Sequence, residues 1–170
     1  MPVPFRLLIA ACVLALAGCT SLSSPSSSVS YVVVRHAEKA TDDPRDPSLS
    51  DAGLARAEAL AGLLRSRDVV AAYATQYRRT SDTAAPTAAQ HDLSITSYDA
   101  DAPPETVAAR LRRSHARGTV LVVGHSNTVP GIVSVLCGCE VAPIDESDYG
   151  NLFEIRIDGD APPVLSRRRY

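Results

Sequence analysis

Four short apolar runs, Ser30 to Val34, Val69 to Ala74, Thr119 to Val123 and Leu152 to Ile157, are spaced along the chain with helical patterns between them. They are short for helices and rich in β-branched residues, so they read as strands. Some are continuously apolar rather than alternating, which demands cover on both faces of a sheet. A shorter strand is expected at Ser94 to Ser97. Leu54, Ala57, Ala61 and Leu64 share one face of a segment that Ser50 can cap, and Val107 to Arg113 forms a second helix. The Ala- and Thr-rich stretch Thr80 to Gln90 is a third helix, which Pro86 should kink or restart. A last helix, Val129 to Leu136, begins near Pro130, where proline is tolerated. The alternation predicts an α/β fold with a mostly parallel central sheet flanked by helices on both faces. Sheets of this kind bind ligands beyond the carboxyl ends of their strands.

The chain is 170 residues long, enough for one core of ordinary size, and its formal charge of -2 gives neither the basic excess expected of a nucleic-acid binder nor the acidic excess of a disordered chain. No nucleic-acid partner is expected. The basic end Arg167, Arg168, Arg169 reads as a solvated terminus. Residues 1–18 read as a secretory signal: Arg6 supplies the positive region, Leu7 to Leu16 the apolar region, and Ala17 and Gly18 are the small residues before Cys19. The apolar run is shorter than the roughly 20 residues a membrane span needs. Leu16-Ala17-Gly18-Cys19 resembles the lipobox of bacterial lipoproteins, which implies acylation of Cys19. The protein is then exported and lipid-anchored to the cell envelope, and Thr20 resembles a signal for a periplasm-facing outer-membrane site. Residues 19–29, rich in serine around Pro25, read as a tether, and the folded domain is expected over 30–170.

Ionisable residues sit where three strands should end: Arg35-His36, then Gln76-Tyr77-Arg78-Arg79-Thr80, then His125-Ser126-Asn127. An imidazole there can attack phosphorus, and guanidinium groups can grip phosphate oxygens through paired hydrogen bonds. Alone, each piece has a plainer use, and Arg78 or Arg79 can pair with Asp82 on a helix surface. A serine hydrolase is disfavoured because Gly124-His125-Ser126 is followed by Thr128 where the nucleophile elbow has glycine. The four histidines show no metal-ligand spacing. Cys137 and Cys139, one residue apart, are poorly placed for an unstrained disulfide or a complete metal site, and two partly buried thiols are expected at least as readily.

The Arg-His pair in VVVRHAEK, the LSDAG segment from Leu49 to Gly53 with Arg56, the RTSDTA stretch from Arg79 to Ala84 and VVGHSNT from Val122 to Thr128 together resemble the histidine phosphatase superfamily, in its phosphoglycerate mutase-like branch of small bacterial type. The resemblance implies the phosphoglycerate mutase-like three-layer fold. It implies a metal-independent phosphatase without a cofactor, acting on phosphate monoesters or phosphoramidates of small molecules or phosphoproteins. His36 would be the nucleophile, Arg35 and Arg79 the phosphoryl ligands, His125 a further catalytic donor and Asn127 a pocket hydrogen-bonding residue. The chemistry asks for an unprotonated His36 and favours a protonated His125, so the two imidazoles should titrate apart.

The general acid is where the sequence departs from the family. Asp99, Asp101 and Glu105 occupy a shortened region after the third strand, and Asp101 is placed first among them. The short region implies an open site. Glu38 and Lys39 read equally as rim or as solvated loop, and the cluster Asp145, Glu146, Asp148 as a loop. Two further readings stay beside the enzyme: a non-catalytic phosphate-ligand binding or envelope-interaction lipoprotein on the same fold, and a phosphomutase.

Overall fold

The computed structural model describes Met1 and residues 27–170. The expected signal peptide, Cys19 and the tether up to residue 26 lie outside the described residues. Ten elements follow in order: β1 (Ser28–Arg35), α1 (Asp51–Leu64), β2 (Val69–Thr75), α2 (Arg78–Gln90), β3 (Ile95–Tyr98), α3 (Pro104–Ser114), β4 (Gly118–Gly124), α4 (Val129–Cys137), β5 (Asn151–Asp158) and β6 (Val164–Arg169). They form one six-stranded sheet in the order β3-β2-β4-β1-β5-β6. The pairs β3/β2, β2/β4 and β4/β1 are parallel, while β1/β5 and β5/β6 are antiparallel. The mostly parallel α/β sheet read from the sequence is therefore present.

Strand side chains alternate between the faces, and this divides the core in two. From β1, Tyr31 and Val33 face a cluster with Val120, Val122, Leu111, Ile132 and Leu136, under α3 and α4. Val32 and Val34 face the opposite cluster with Leu60, Leu64, Ala84, Ala88, Leu121 and Val123, under α1 and α2. All four of these β1 residues are almost completely buried. This explains why the run is uninterrupted by polar residues.

Several expectations need correction. β1 begins at Ser28, within the stretch read as tether. The buried face of α1 is Gly53, Ala57, Leu60, Ala61 and Leu64, whereas Leu54 is half exposed. The glycine lets the helix lie directly against the loop after β1, and that contact sets the rotation of its apolar face. Ser50 caps the helix as expected, accepting from Gly53 N at 3.2 Å. Pro86 does not divide α2, which is one helix across it. Cys137 and Cys139 are joined in a disulfide. The left-handed Gly138 (φ 66°) between them turns the chain back, which a two-thiol reading from spacing alone does not anticipate. The basic end is not a free terminus: it is β6, an edge strand paired with β5. Arg169 bonds Asp148 at 2.8 Å, and Arg167 bonds Asn151 at 2.8 Å. A cationic edge of this kind also resists pairing with another sheet.

Candidate active site

Because β1, β2 and β4 are parallel neighbours across the sheet, their carboxyl ends share one rim. The His36 amide donates to the Gly124 carbonyl at 2.9 Å, so the segment after β1 is fixed to the strand that delivers His125. The two imidazole centroids lie 5.3 Å apart with planes inclined by 66°. Both rings are more than nine-tenths buried. They border a cleft of about 370 Å³ whose lining also includes Lys39, Tyr77, Arg79, Asp101, Ser126 and Asn127, with Glu146 beside them.

The tautomer of His36 follows from its neighbour. Nδ1 is 2.8 Å from the Ala37 carbonyl oxygen, which can only accept, so Nδ1 carries the proton and Nε2 keeps its lone pair. The Ala37 amide in turn donates to Thr83 Oγ1 at 2.9 Å, and Thr83 donates to the Arg79 carbonyl at 2.7 Å. Helix α2 therefore both supports the loop that carries His36 and carries Arg79. His125 is oriented by hydroxyls: its Nε2 is 3.0 Å from Thr75 Oγ1, which is 2.8 Å from Thr80 Oγ1. Thr80 donates to the Tyr77 carbonyl at 2.7 Å, so Thr75 donates to Thr80 and accepts from Nε2–H of His125.

Burial pulls His36 down from the usual histidine value to about 3, helped by the nearby His125, Arg35 and Arg79 charges and opposed by the Ala37 carbonyl bond. Burial, then Arg79 and Arg35, pulls His125 down to about 4. The protonated His125 expected from the sequence is tied to a bound phosphate, which offsets the nearby arginine charges. Without phosphate both are neutral at neutral pH, first because both rings are buried and then because Arg35 and Arg79 lie near each of them.

Arg35 is 2% exposed. Its Nη1 donates to the carbonyls of Asp145 (3.1 Å), Glu146 (2.8 Å) and Asp148 (3.3 Å), and its Nη2 meets Glu146 Oε2 at 3.1 Å. Tyr149 covers the guanidinium at 4.1 Å. Nε of Arg35 is buried without a hydrogen-bond partner, and so is Nε of Arg79. Buried donors of this kind cost a few kcal/mol unless something accepts from them. Arg79 stacks over Tyr77 at 4.3 Å, and its nearest acid is Asp46 at 3.8 Å rather than Asp82. Arg78 pairs with Asp42 instead.

Of the sequence candidates, the fold brings together His36, Arg79, His125, Asn127 and Asp101 around the cleft, with Arg35 behind it. Asn127 stands exposed at the mouth. Asp99 and Glu105 are not part of the lining. The Asp99 carboxylate accepts from the Asp101 amide at 3.0 Å, and Glu105 lies in the first turn of α3. Glu38 is no solvated loop charge: it grips Arg56 with contacts of 2.6 to 3.0 Å, and that partner lowers its pKa. Sequence reasoning passed over Thr75, Thr83 and Tyr149, and left Glu146 in a loop. Their common signal was position, since Thr75 closes β2, Thr83 lies one turn past Arg79, and the other two precede β5.

Residues 31–100 match the model for the histidine phosphatase superfamily (branch 1). An uncharacterized protein of Mycobacterium tuberculosis (strain ATCC 25618 / H37Rv) is 49% identical over 47 residues, which are 28% of this chain and 23% of that protein. The chain thus spans about a quarter of the length of the curated relatives it matches. Among solved structures, the protein histidine phosphatase SixA complexed with tungstate superposes with a TM-score of 0.65 at 18% identity, covering 82% of this chain and 96% of that one. A SixA described as a phosphohistidine phosphatase from Nakamurella multipartitia gives 0.63 at 20% identity, over 86% and 98%. The mycobacterial glucosyl-3-phosphoglycerate phosphatase gives 0.62 at 15% identity, over 76% and 90%. Residues 31–100 therefore match the histidine phosphatase superfamily, on an α/β sheet that has the phosphoglycerate mutase-like fold of these structures.

Proposed function

We propose that this protein is a phosphatase that hydrolyses phosphate monoesters or phosphoramidates through a phosphohistidine on His36. The observation that carries the reading is the pairing of a nucleophile-ready imidazole with two guanidinium groups whose buried Nε donors lack acceptors. Nε2 of His36 is left with its lone pair, while Nε of Arg35 and Nε of Arg79 lack acceptors. A tetrahedral dianion satisfies both at once. Its oxygens take the guanidinium donors, and phosphorus meets Nε2. His125 and Asn127 complete the set of donors, with a proton moving onto His125 as the dianion arrives and offsets the arginine charges. Fixed donors around the phosphoryl oxygens stabilise the charge that spreads over them during transfer. Water then cleaves the N–P bond.

The matched superfamily model and the phosphatase structures of the same fold support this reading, and the former includes both His36 and Arg79. Asp101 and Glu146 are the carboxylates at the cleft from which a leaving group can receive a proton. The reaction as proposed requires no metal and should survive a chelator. It is tested by a screen of phosphate esters and phosphoramidates with trapping of an acid-labile phosphoenzyme. Both turnover and trapping should be lost in His36→Ala, and unchanged turnover in that variant refutes the mechanism.

The lipobox resemblance supports placing the domain outside the cytoplasm, tethered to the envelope through an acylated Cys19. Substrates would then be phosphorylated small molecules or phosphoproteins of that compartment. Incorporation of labelled fatty acid, abolished by Cys19→Ser, checks the anchor, and equal membrane association of that variant refutes it.

A further inference from the structure

The loop between α4 and β5 carries a carboxylate into the cleft from far along the chain. Glu146 Oε2 lies on Nη2 of Arg35 at 3.1 Å, and Oε1 accepts from the Ser126 hydroxyl, next to His125. The Arg35 end of this contact is buried, while the Glu146 side chain is 77% exposed, so the acid sits at the mouth. Three carbonyls of the same loop hold Nη1 of Arg35, which leaves the other edge, unpartnered Nε and the Nη2 that meets Glu146, to grip a phosphoryl group. A phosphoryl group using that edge satisfies the unpartnered Nε and takes Nη2 from Glu146.

Resting on the phosphatase reading, we infer that Glu146 is the catalytic proton donor, displaced from Arg35 by the incoming phosphoryl group onto the leaving-group side of the cleft. With its arginine lost and a dianion beside it, the carboxylate binds a proton from water, although Ser126 and Arg35 hold it ionised beforehand. As the bond from His36 Nε2 to phosphorus forms and the bond from phosphorus to the leaving oxygen breaks, Glu146 gives its proton to that oxygen. The resulting carboxylate takes a proton from the attacking water, whose oxygen replaces Nε2 on phosphorus and releases phosphate. Asp101 is the rival at the cleft, yet no side-chain bond ties it to a group of the site among the described residues. Its backbone amide is engaged by Asp99, in the turn leading to α3.

The test compares two substrates in the full-length protein. An alkyl phosphate needs its leaving oxygen protonated, whereas p-nitrophenyl phosphate releases a stable anion. In Glu146→Gln, the alkyl-to-aryl ratio of kcat should fall about 100-fold, within the usual range for loss of a general acid. Asp101→Asn should leave that ratio near its wild-type value. An equal loss on both substrates in Glu146→Gln, a preserved ratio, or a selective loss in Asp101→Asn instead overturns the inference. Absence of turnover on either substrate in the wild-type protein overturns the phosphatase reading itself, and phosphoenzyme trapping separates the two failures.

Discussion

Adding one methyl group at Gly53 separates the effect of close approach from that of helix propensity, because a second glycine in α1 serves as its control. A Cβ at Gly53 would stand 2.3 Å from the Glu38 carbonyl oxygen, where real contacts do not fall below 3.0 Å. Relief needs about 0.7 Å of movement, and the carbonyl is not free to give: it accepts from the Ser50 amide at 2.9 Å and from the Ser50 hydroxyl at 3.3 Å. Overpacking of this kind costs about 1–3 kcal/mol. A weakened hydrogen bond adds about 1 kcal/mol. The gain from replacing a helical glycine offsets roughly 0.5–1 kcal/mol. Gly53→Ala should therefore destabilise by about 2 kcal/mol, or about 6 °C in Tm for a domain of this size. Gly62→Ala, in the same helix with nothing within 4 Å of the new atom, should stabilise by roughly 0.5–1 kcal/mol. Urea unfolding of both variants with unchanged m-values measures the difference. Since Glu38 lies two residues after His36, Gly53→Ala should also slow turnover at least several-fold. Equal shifts of the same sign in the two variants would refute the close-approach argument.

Acid should weaken the fold through the two site histidines. His36 and His125 fall to about 3 and about 4 when folded, so the unfolded chain binds more protons from the ordinary histidine range downward, and stability present above about pH 6.5 is lost as the pH falls. From pH 6.5 to 5 the loss is about 2 kcal/mol for His36 and less for the better solvated His125. Urea melts at pH 7 and pH 5 should show it, and an equal pH dependence in His36→Asn would exclude His36 as the source. Thr75→Val removes the acceptor of His125 Nε2–H and should lower kcat about tenfold with little change in KM for p-nitrophenyl phosphate. A rise in KM alone would show that Thr75 does not act through His125. Reduction of the Cys137–Cys139 disulfide should lower stability by no more than about 2 kcal/mol, because so short a loop restrains the unfolded chain little. A large loss of Tm in reductant would contradict that.

The sheet was legible because burial on both faces leaves its mark on every residue of a strand, as in Tyr31 to Val34. The residues Arg35, His36 and His125 were legible because they stand at the ends of such runs, and Arg79 because it opens the RTSDTA stretch. What escaped has a different physical origin. β6 carries Arg167 to Arg169, whose outward charges conceal a strand, and its order comes from partners on β5 and the preceding loop. Glu146 meets Arg35 across 111 residues, a contact that no local pattern encodes. The lowered pKa values of His36 and His125 depend first on the burial of both rings and then on the guanidinium groups crowded beside them, which is a property of the assembled site. Leu54 was assigned to the core because the helical period also fits it. The contact at Gly53, three-dimensional in nature, decided the rotation.

The bond from the His36 amide to the Gly124 carbonyl ties the site to the sheet. It makes the two imidazoles passengers on adjacent strands at the heart of the sheet, so their spacing is set by strand pairing rather than by the loops. Other residues that line the cleft come from elsewhere: Lys39 after β1, Asp101 before α3, and Glu146 in the loop before β5. Under the proposed mechanism these segments would set which leaving groups are accepted, while the strand ends carry His36 and His125. A library varying 39–47 and 147–148 alone, with Glu146 and Tyr149 kept, should therefore alter which substrates are accepted while the phosphoenzyme still forms at the same atom.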